Sequence, residues 1–203
     1  MNSLDKNNST PLCVDLDGSL IATDMLYESL VRALKKNIFI AFLIPFWVLR
    51  GPHILKYELA RRAQVDFAVL PYRRHVLHWL QEQKNAGRSL ILCTGSTDEQ
   101  AKAVADHLQL FSDIISTTPE RNLTGKNKAA LLLQRYGEKG FDYLGNEHKD
   151  LHIWRHARNA VVVSNSDTLV ENANQVSTVE QRFKFSPTTM KIVLKAMRIH
   201  QWM

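Results

Sequence analysis

Two aspartates lie two residues apart, directly after a short apolar run, and are well placed to share one chemical task. The run PLCV at residues 11–14 predicts a buried parallel strand, and Asp15, Asp17 and Gly18 follow it. Side chains two apart on a strand share a face, and Gly18 lets the chain turn away sharply. Ligand crevices in open α/β sheets lie at the carboxyl ends of the strands. The pattern predicts a site that holds a divalent cation and attacks phosphorus, with a solvated acidic turn as the alternative.

Composition limits the function classes. The chain has 203 residues, 45% of them hydrophobic, which is enough for a domain with a good core and a small accessory domain. Cys13 and Cys93 lie in apolar runs and are interpreted as core residues of a cytoplasmic protein. The polar N-terminus predicts no secretory signal. The net charge of +6 suits a phosphorylated substrate or an anionic membrane face. The sequence has no basic-aromatic motif of the kind that binds nucleic acid, so nucleic acid is not expected as a partner.

Short apolar runs alternate with helical patterns along most of the chain. This alternation predicts an α/β fold, a Rossmann-like parallel sheet covered by helices on both faces. Residues 165–185 are expected to be polar and irregular, apart from a closing strand. The expected strands cover residues 88–94, 114–115, 141–144, 160–163 and 178–183, and the expected helices residues 98–108 and 126–136.

The block at residues 23–86 is too long for a simple crossover, so we expect an inserted all-helical cap. Thr23 or Asp24 is expected to cap its first helix, and Gly87 to end its last, residues 71–86. The apolar stretch 38–49 is too short to span a bilayer, and Pro45 is expected to kink it. It is interpreted as a core helix of a small bundle, or alternatively as a surface that dips into a membrane.

The residues VDLDGS at 14–19 resemble the first motif of haloacid dehalogenase-like (HAD) phosphatases, D-x-D-G-[TS]. The helical insertion after this motif is similar to the cap of the phosphoserine-phosphatase-like branch. The resemblance implies residues 1–22 and 87–185 as the core and 23–86 as the cap. It also implies that Asp15 is a nucleophile that forms an aspartyl-phosphate, and that Asp17 is the acid/base.

Three later stretches are similar to the remaining motifs of this family. LILCTGS, residues 90–96, implies that Thr94 and Gly95 bind phosphate through a hydroxyl and backbone N–H groups. GKNKAALL, residues 125–132, offers the phosphate-binding lysine. The family's register favours Lys128, with Lys126 in reserve.

The last motif should read G-D-x-x-x-D, but residues 145–150 read GNEHKD. The resemblance implies Mg²⁺ as cofactor, held by Asp15, Asp17 and Asn146, with Asp150 and Gly18 in support. Mg²⁺ prefers hard oxygen ligands, and an asparagine oxygen brings no charge. The departure at Asn146 therefore predicts weak metal binding and low turnover.

The tail LKAMRIHQWM, residues 194–203, is similar to the start of UbiA-type polyprenyl transferases. Residues 186–203 are accordingly expected to form a basic amphipathic helix that opens a following membrane domain. This resemblance implies a domain at the cytoplasmic face of a membrane, with the transferase and an anionic membrane surface as partners. It implies a phosphoribosyl or prenyl-linked phosphate as substrate. The alternative is an impaired domain that binds a phosphorylated ligand or scaffolds the transferase.

Overall fold

The computed structural model describes residues 10–119 and 121–185, and within them the α/β prediction is confirmed. All strand pairs are parallel, in the order β3-β2-β1-β4-β5-β6. The strands are β1 Leu12–Val14, β2 Leu90–Thr97, β3 Asp113–Thr117, β4 Asp142–Gly145, β5 Asn159–Val163 and β6 Thr178–Phe183. The expected basic helix at residues 186–203 lies outside the described residues.

Helices cover both faces of this sheet. The described helices, including three that lie away from the sheet, are α1 Met25–Lys36, α2 Ile44–Arg50, α3 Pro52–Arg62, α4 Arg74–Asn85, α5 Asp98–Leu108, α6 Gly125–Tyr136, α7 Leu151–Trp154 and α8 Asp167–Val176. Short 3-10 helices lie at Ile38–Phe42, Phe67–Val69 and His148–Asp150. Among the described residues, no helix is both long enough and apolar enough to cross a membrane.

Alternation along β1 divides the core into two layers. Leu12 and Val14 pack on one face of the sheet with α4 and α5, whereas Cys13 packs on the other with α6 to α8. Cys13 and Cys93 are both buried thiols with no disulfide between them, as expected for core residues.

The inserted block does not pack as a single unit. Ala33, Ile40, Trp47 and Leu59 form a separate small core between α1, α2, α3 and the 3-10 helix Ile38–Phe42. The last helix of the block, α4, instead packs on the sheet through Val76 and Leu80. The described helical layer away from the sheet is therefore α1 to α3, and the full cap boundary of residues 23–86 stays a prediction.

Three local expectations need correction. Pro45 lies in the first turn of α2, where a backbone N–H has no partner within the helix. Its missing N–H therefore costs no hydrogen bond, and Pro45 begins a helix instead of kinking one. The helix α4 begins at Arg74, three residues later than expected. Residues 165–185 are not irregular throughout, because α8 forms there, capped by Ser166 and buried through Leu169 and Ala173.

Candidate active site

The two aspartates of the first motif open into one cavity at the carboxyl end of the sheet. This cavity has a volume of about 70 Å³, which holds several water-sized groups. The core contributes Asp15, Asp17, Gly95, Ser96, Gln100, Thr124, Gly125, Lys128, Lys149 and Asp150 to its wall, and the insertion contributes Asp24, Leu26, Ser29 and Lys56.

Asp15 is fixed by polar groups on both of its carboxylate oxygens. Lys128 Nζ donates to Asp15 Oδ1 at 2.6 Å, and Ser19 Oγ lies 3.1 Å from Oδ2. The backbone N–H of Asp15 donates to Leu144 O on β4, which anchors the turn to the sheet. The carboxylate therefore has a defined orientation toward the cavity.

Lys128 is buried at the start of α6, where its ammonium also donates to Cys93 O and to the hydroxyl of Tyr143, each at 3.0 Å. Burial alone would lower the pKa of Lys128, but the facing carboxylate of Asp15 holds it above its ordinary value. Lys126, the alternative lysine, lies two residues earlier on a different face of the helix and is exposed. The structure thus places Lys128 in the site and Lys126 outside it.

Asp17 has a different environment from Asp15. Its oxygens accept from Met25 N at 2.8 Å and from Ser96 Oγ at 2.9 Å. Burial, and then repulsion by the carboxylates of Asp24 and Asp15, raises the pKa of Asp17 to about 7. A carboxyl with this pKa can donate and accept a proton near neutral pH.

The predicted phosphate-binding loop is only partly at the cavity. Thr94 is fully buried, and its Oγ1 accepts from Ser96 N at 3.0 Å, so it shapes the loop without lining the cavity. Gly95 and Ser96 do line it. Because β2 continues to Thr97, this loop is held within the sheet.

Asn146 approaches the first motif closely. Its Oδ1 lies 2.9 Å from Ser19 Oγ. A Cβ added to Gly18 would lie only 2.3 Å from Asn146 Nδ2, which is too close. Gly18 also has φ of +73°, so glycine is required there by both conformation and space.

Asp150 holds the backbone that follows β4 at Asn146 and Glu147. Its Oδ2 accepts from the backbone N–H groups of Asn146 and Glu147, both at 2.9 Å. Burial, and then the charge of Asp15, raises the pKa of Asp150 to about 6. Asp150 therefore positions Asn146 and adds negative charge to the cavity wall.

Oxygen donors dominate the prospective metal site. Asp15 and Asp17 line the cavity, whereas Asn146 contacts the first motif at Gly18 and Ser19 beside it. Hard oxygens of this kind suit Mg²⁺. The described residues contain no cluster of three or more His, Cys, Asp or Glu side chains with metal-binding geometry. The donor set therefore fits Mg²⁺ in chemistry, with one carboxylate fewer than a three-acid site.

Lys56 is a site residue that the sequence motifs did not reveal. It reaches from α3 across 39 positions of sequence, and its Nζ donates to Gly95 O at 2.6 Å. Burial lowers the pKa of Lys56. Tyr57 Oη is 2.7 Å from Asp98 Oδ1, and Gln100 Nε2 donates to Ser29 Oγ at 2.8 Å, so the insertion closes directly over the site.

Sequence comparison identifies a curated relative of the chain. No protein-family model matches the chain. The chain is 33% identical over 205 residues to the uncharacterised protein y4nM of Sinorhizobium fredii. That match covers 95% of this chain and 37% of y4nM, so the chain spans little more than a third of that curated relative.

Solved structures share the whole architecture. A haloacid dehalogenase-like family hydrolase of Streptococcus pneumoniae superposes with a TM-score of 0.59 over 94% of this chain and 99% of that one, at 12% identity. A phospho-aspartyl intermediate analogue of phosphoserine phosphatase gives 0.58 over 93% and 98%, at 13% identity. The chain therefore has the α/β fold of haloacid dehalogenase-like hydrolases.

Proposed function

We propose that the chain is a phosphomonoester hydrolase that forms an aspartyl-phosphate on Asp15. One observation carries the proposal: Asp15, paired with Lys128, shares a small cavity with Asp17, a carboxyl whose pKa is about 7. A fixed carboxylate beside a proton donor suits nucleophilic attack on phosphorus. The likeness to the phospho-aspartyl analogue of phosphoserine phosphatase supports the same chemistry.

In the first step, a carboxylate oxygen of Asp15 attacks phosphorus in line with the ester oxygen. The P–O bond to the leaving group breaks, and Asp17 transfers its proton to that leaving oxygen. Lys128 keeps the nucleophile oriented and offsets negative charge on the phosphoryl oxygens. Ser96 and the backbone at Gly95 lie beside the same space and can donate hydrogen bonds there.

In the second step, water attacks the phosphorus of the aspartyl-phosphate. Asp17, now a carboxylate, takes a proton from this water, and the bond between phosphorus and Asp15 breaks. Inorganic phosphate leaves, Asp15 returns as a carboxylate, and Asp17 is protonated again. The groups on the chain are thus restored at the end of each cycle.

Asp15, Asn146 and Asp17 in its deprotonated state would hold Mg²⁺, which supplies charge neutralisation at the phosphoryl oxygens. Crowding of Asp15, Asp17 and Asp24 around the cavity supports this assignment, because repulsion between carboxylates is relieved by a cation. A neutral ligand at Asn146 weakens the attraction. We therefore expect lower metal affinity than a third carboxylate would give.

The finer proposal is a phosphoribosyl or prenyl-linked substrate and a UbiA-type transferase in the same protein. It rests on the resemblance of residues 194–203, and the greater length of y4nM is compatible with a second part. The cavity has room for a phosphate-sized group, so the remainder of such a substrate would lie outside it.

A panel of phosphomonoesters with and without Mg²⁺ tests the function. Asp15→Asn should abolish phosphate release, whereas Asp106→Asn, an exposed site on α5, should leave it unchanged. Lys128→Met against Lys126→Met provides a second matched pair on α6. Full activity of Asp15→Asn would refute the proposed nucleophile.

The rival function, a phosphate-binding or scaffolding domain, is favoured by one observation, the uncharged Asn146. In an impaired enzyme, Asn146→Asp should tighten Mg²⁺ binding by calorimetry and raise turnover, because it restores a carboxylate. Asn85→Asp, whose side chain is an exposed acceptor on α4, adds the same charge elsewhere. If Asn146→Asp changes neither quantity while phosphate still binds, the rival function is the better description.

A further inference from the structure

The insertion exposes large apolar side chains along most of one segment. Phe39 is 70% exposed, Phe42 79% and Leu49 86%. Within the same segment, Ile40 and Trp47 are buried and hold it on α1 and α3. The other exposed members are Ile38, Leu43, Phe46 and Val48. Continuous apolar surface of this kind on a folded chain marks an interaction site.

Cations surround this apolar segment. Residues 35–62 contain six lysine and arginine residues and a single acid, Glu58, which pairs with Arg62. Lys56 is directed to the cavity, and Lys36, Arg50 and Arg61 are exposed. The guanidinium of Arg50 lies 4.7 Å from the ring centre of Phe46. A shallow groove of about 350 Å³ between the 3-10 helix and α3 is lined by Lys36, Asn37, Phe39, Ile40, Leu43, Arg61 and Arg62. Apolar and cationic groups thus share one surface.

We propose that this surface, residues 38–49 together with Lys36, Arg50 and Arg61 and here named the cap face, docks on an anionic phospholipid bilayer. Its aromatic and aliphatic side chains enter the headgroup boundary, and its cations pair with lipid phosphates. Arginine suits such phosphate contacts because its guanidinium donates two parallel hydrogen bonds.

Charge distinguishes the bilayer from a second copy of the chain as the occupant. A two-fold symmetric pair would place the same patch on both partners. The cations around one cap face would then oppose those of the other, and like charges across an interface disfavour association. Glu58 is already engaged by Arg62, so it offers little compensation. An anionic bilayer satisfies both the apolar groups and the cations.

The docked surface and the cavity share the helix α3. Lys56 on this helix reaches Gly95 at the cavity, and Arg61 lies five residues further along. This separation is about 8 Å along the helix axis. Docking would therefore bring the proposed active site close to phosphorylated groups at the bilayer surface, although docking itself does not depend on the proposed hydrolysis.

A site-specific fluorescence experiment tests the docking on the full chain. Leu49→Cys accepts an environment-sensitive NBD label, because the native thiols Cys13 and Cys93 are buried. Val69→Cys is the matched control, an apolar residue 66% exposed outside the cap face. With vesicles of phosphatidylglycerol and phosphatidylcholine, the label at residue 49 should shift to the blue and brighten. Pure phosphatidylcholine or high salt should weaken this response, and the label at residue 69 should not change.

Serine variants of the exposed apolar residues give a second test of the docking. Phe39→Ser with Phe42→Ser should lower vesicle partitioning by at least about tenfold, because apolar burial is lost, whereas Val69→Ser should not. Vesicle binding with no change at residue 49 would overturn the proposal, since another part of the chain would then be responsible. Self-association abolished by the serine pair would also overturn it, in favour of a second copy.

Discussion

The protonation state of Asp17 determines whether this residue can donate a proton in the site. With a pKa of about 7, Asp17 is mostly protonated below that pH and loses its donor proton above it. We expect its side-chain ¹³C resonance to titrate near pH 7 in the metal-free chain. Mg²⁺ should move the midpoint downward, because a cation favours the carboxylate. A midpoint near 4 in the metal-free chain would contradict the assigned proton donor.

Gly18 combines two constraints that substitution can separate. Gly137 has a similar φ, +78° against +73°, but a Cβ there would meet nothing within 4 Å. Gly137→Ala should therefore cost only the conformational strain, about 1–3 kcal/mol of unfolding free energy. Gly18→Ala should cost more and also displace Asn146 and reduce activity. Urea unfolding and phosphate release measure the two effects, and equal effects of both variants would show that the contact with Asn146 is unimportant.

The site residues differed in how far sequence could locate them. Asp15, Asp17 and Lys128 belong to ordered motifs, and the structure brings all three together. Lys56 belongs to no motif, because its role depends on how α3 lies over the sheet. Ser96, two residues after Thr94 in the same strand, lines the cavity, whereas the Thr94 hydroxyl accepts from the backbone N–H of Ser96.

At the element scale, an ion-pair network joins strands at the end of the sheet opposite the cavity. Asp142 begins β4, is fully buried, and pairs with Arg88 before β2 and with Arg158 before β5. Arg88 also reaches Glu180 on β6, at 3.1 Å. The network thus ties together strands that carry the site at their other ends.

Removing the central acid should destabilise the fold. Asp142→Asn would remove the fully buried carboxylate that pairs with both Arg88 and Arg158, leaving the buried Arg88 to pair with the partly exposed Glu180, and should cost about 3 kcal/mol of unfolding free energy. Asp167→Asn, which loses an exposed pair with Arg182, should change stability little. Thermal and urea unfolding would reveal the difference. Similar losses for both variants would mean that the buried network has no special weight.

Elements with strong apolar patterns were predictable. The six strand predictions and the helices at residues 98–108 and 126–136 are confirmed, because continuous apolar runs identify buried parallel strands. The helix α8 was missed because its sequence DTLVENANQV contains many residues of weak helix preference. Tertiary packing of Leu169 and Ala173 on the sheet overrides that preference.

The whole molecule places a helical layer over the carboxyl ends of a parallel sheet. Contacts of Lys56 and Tyr57 with the core close this layer over the two aspartates. The length of the insertion identified it in the sequence. The sequence could not show which apolar residues of the insertion are buried and which are exposed. That distinction follows only from the small core around Trp47.

Trapping the covalent intermediate tests the central claim most directly. The chain would be incubated with Mg²⁺ and a phosphomonoester that it hydrolyses, and the reaction would be quenched with acid. Borohydride would then reduce any aspartyl-phosphate to homoserine. Mass spectrometry of the peptide containing residues 11–19 should then show homoserine at Asp15 and unmodified Asp17. Steady phosphate release without modification of Asp15, or modification at Asp17 instead, would contradict the proposed mechanism.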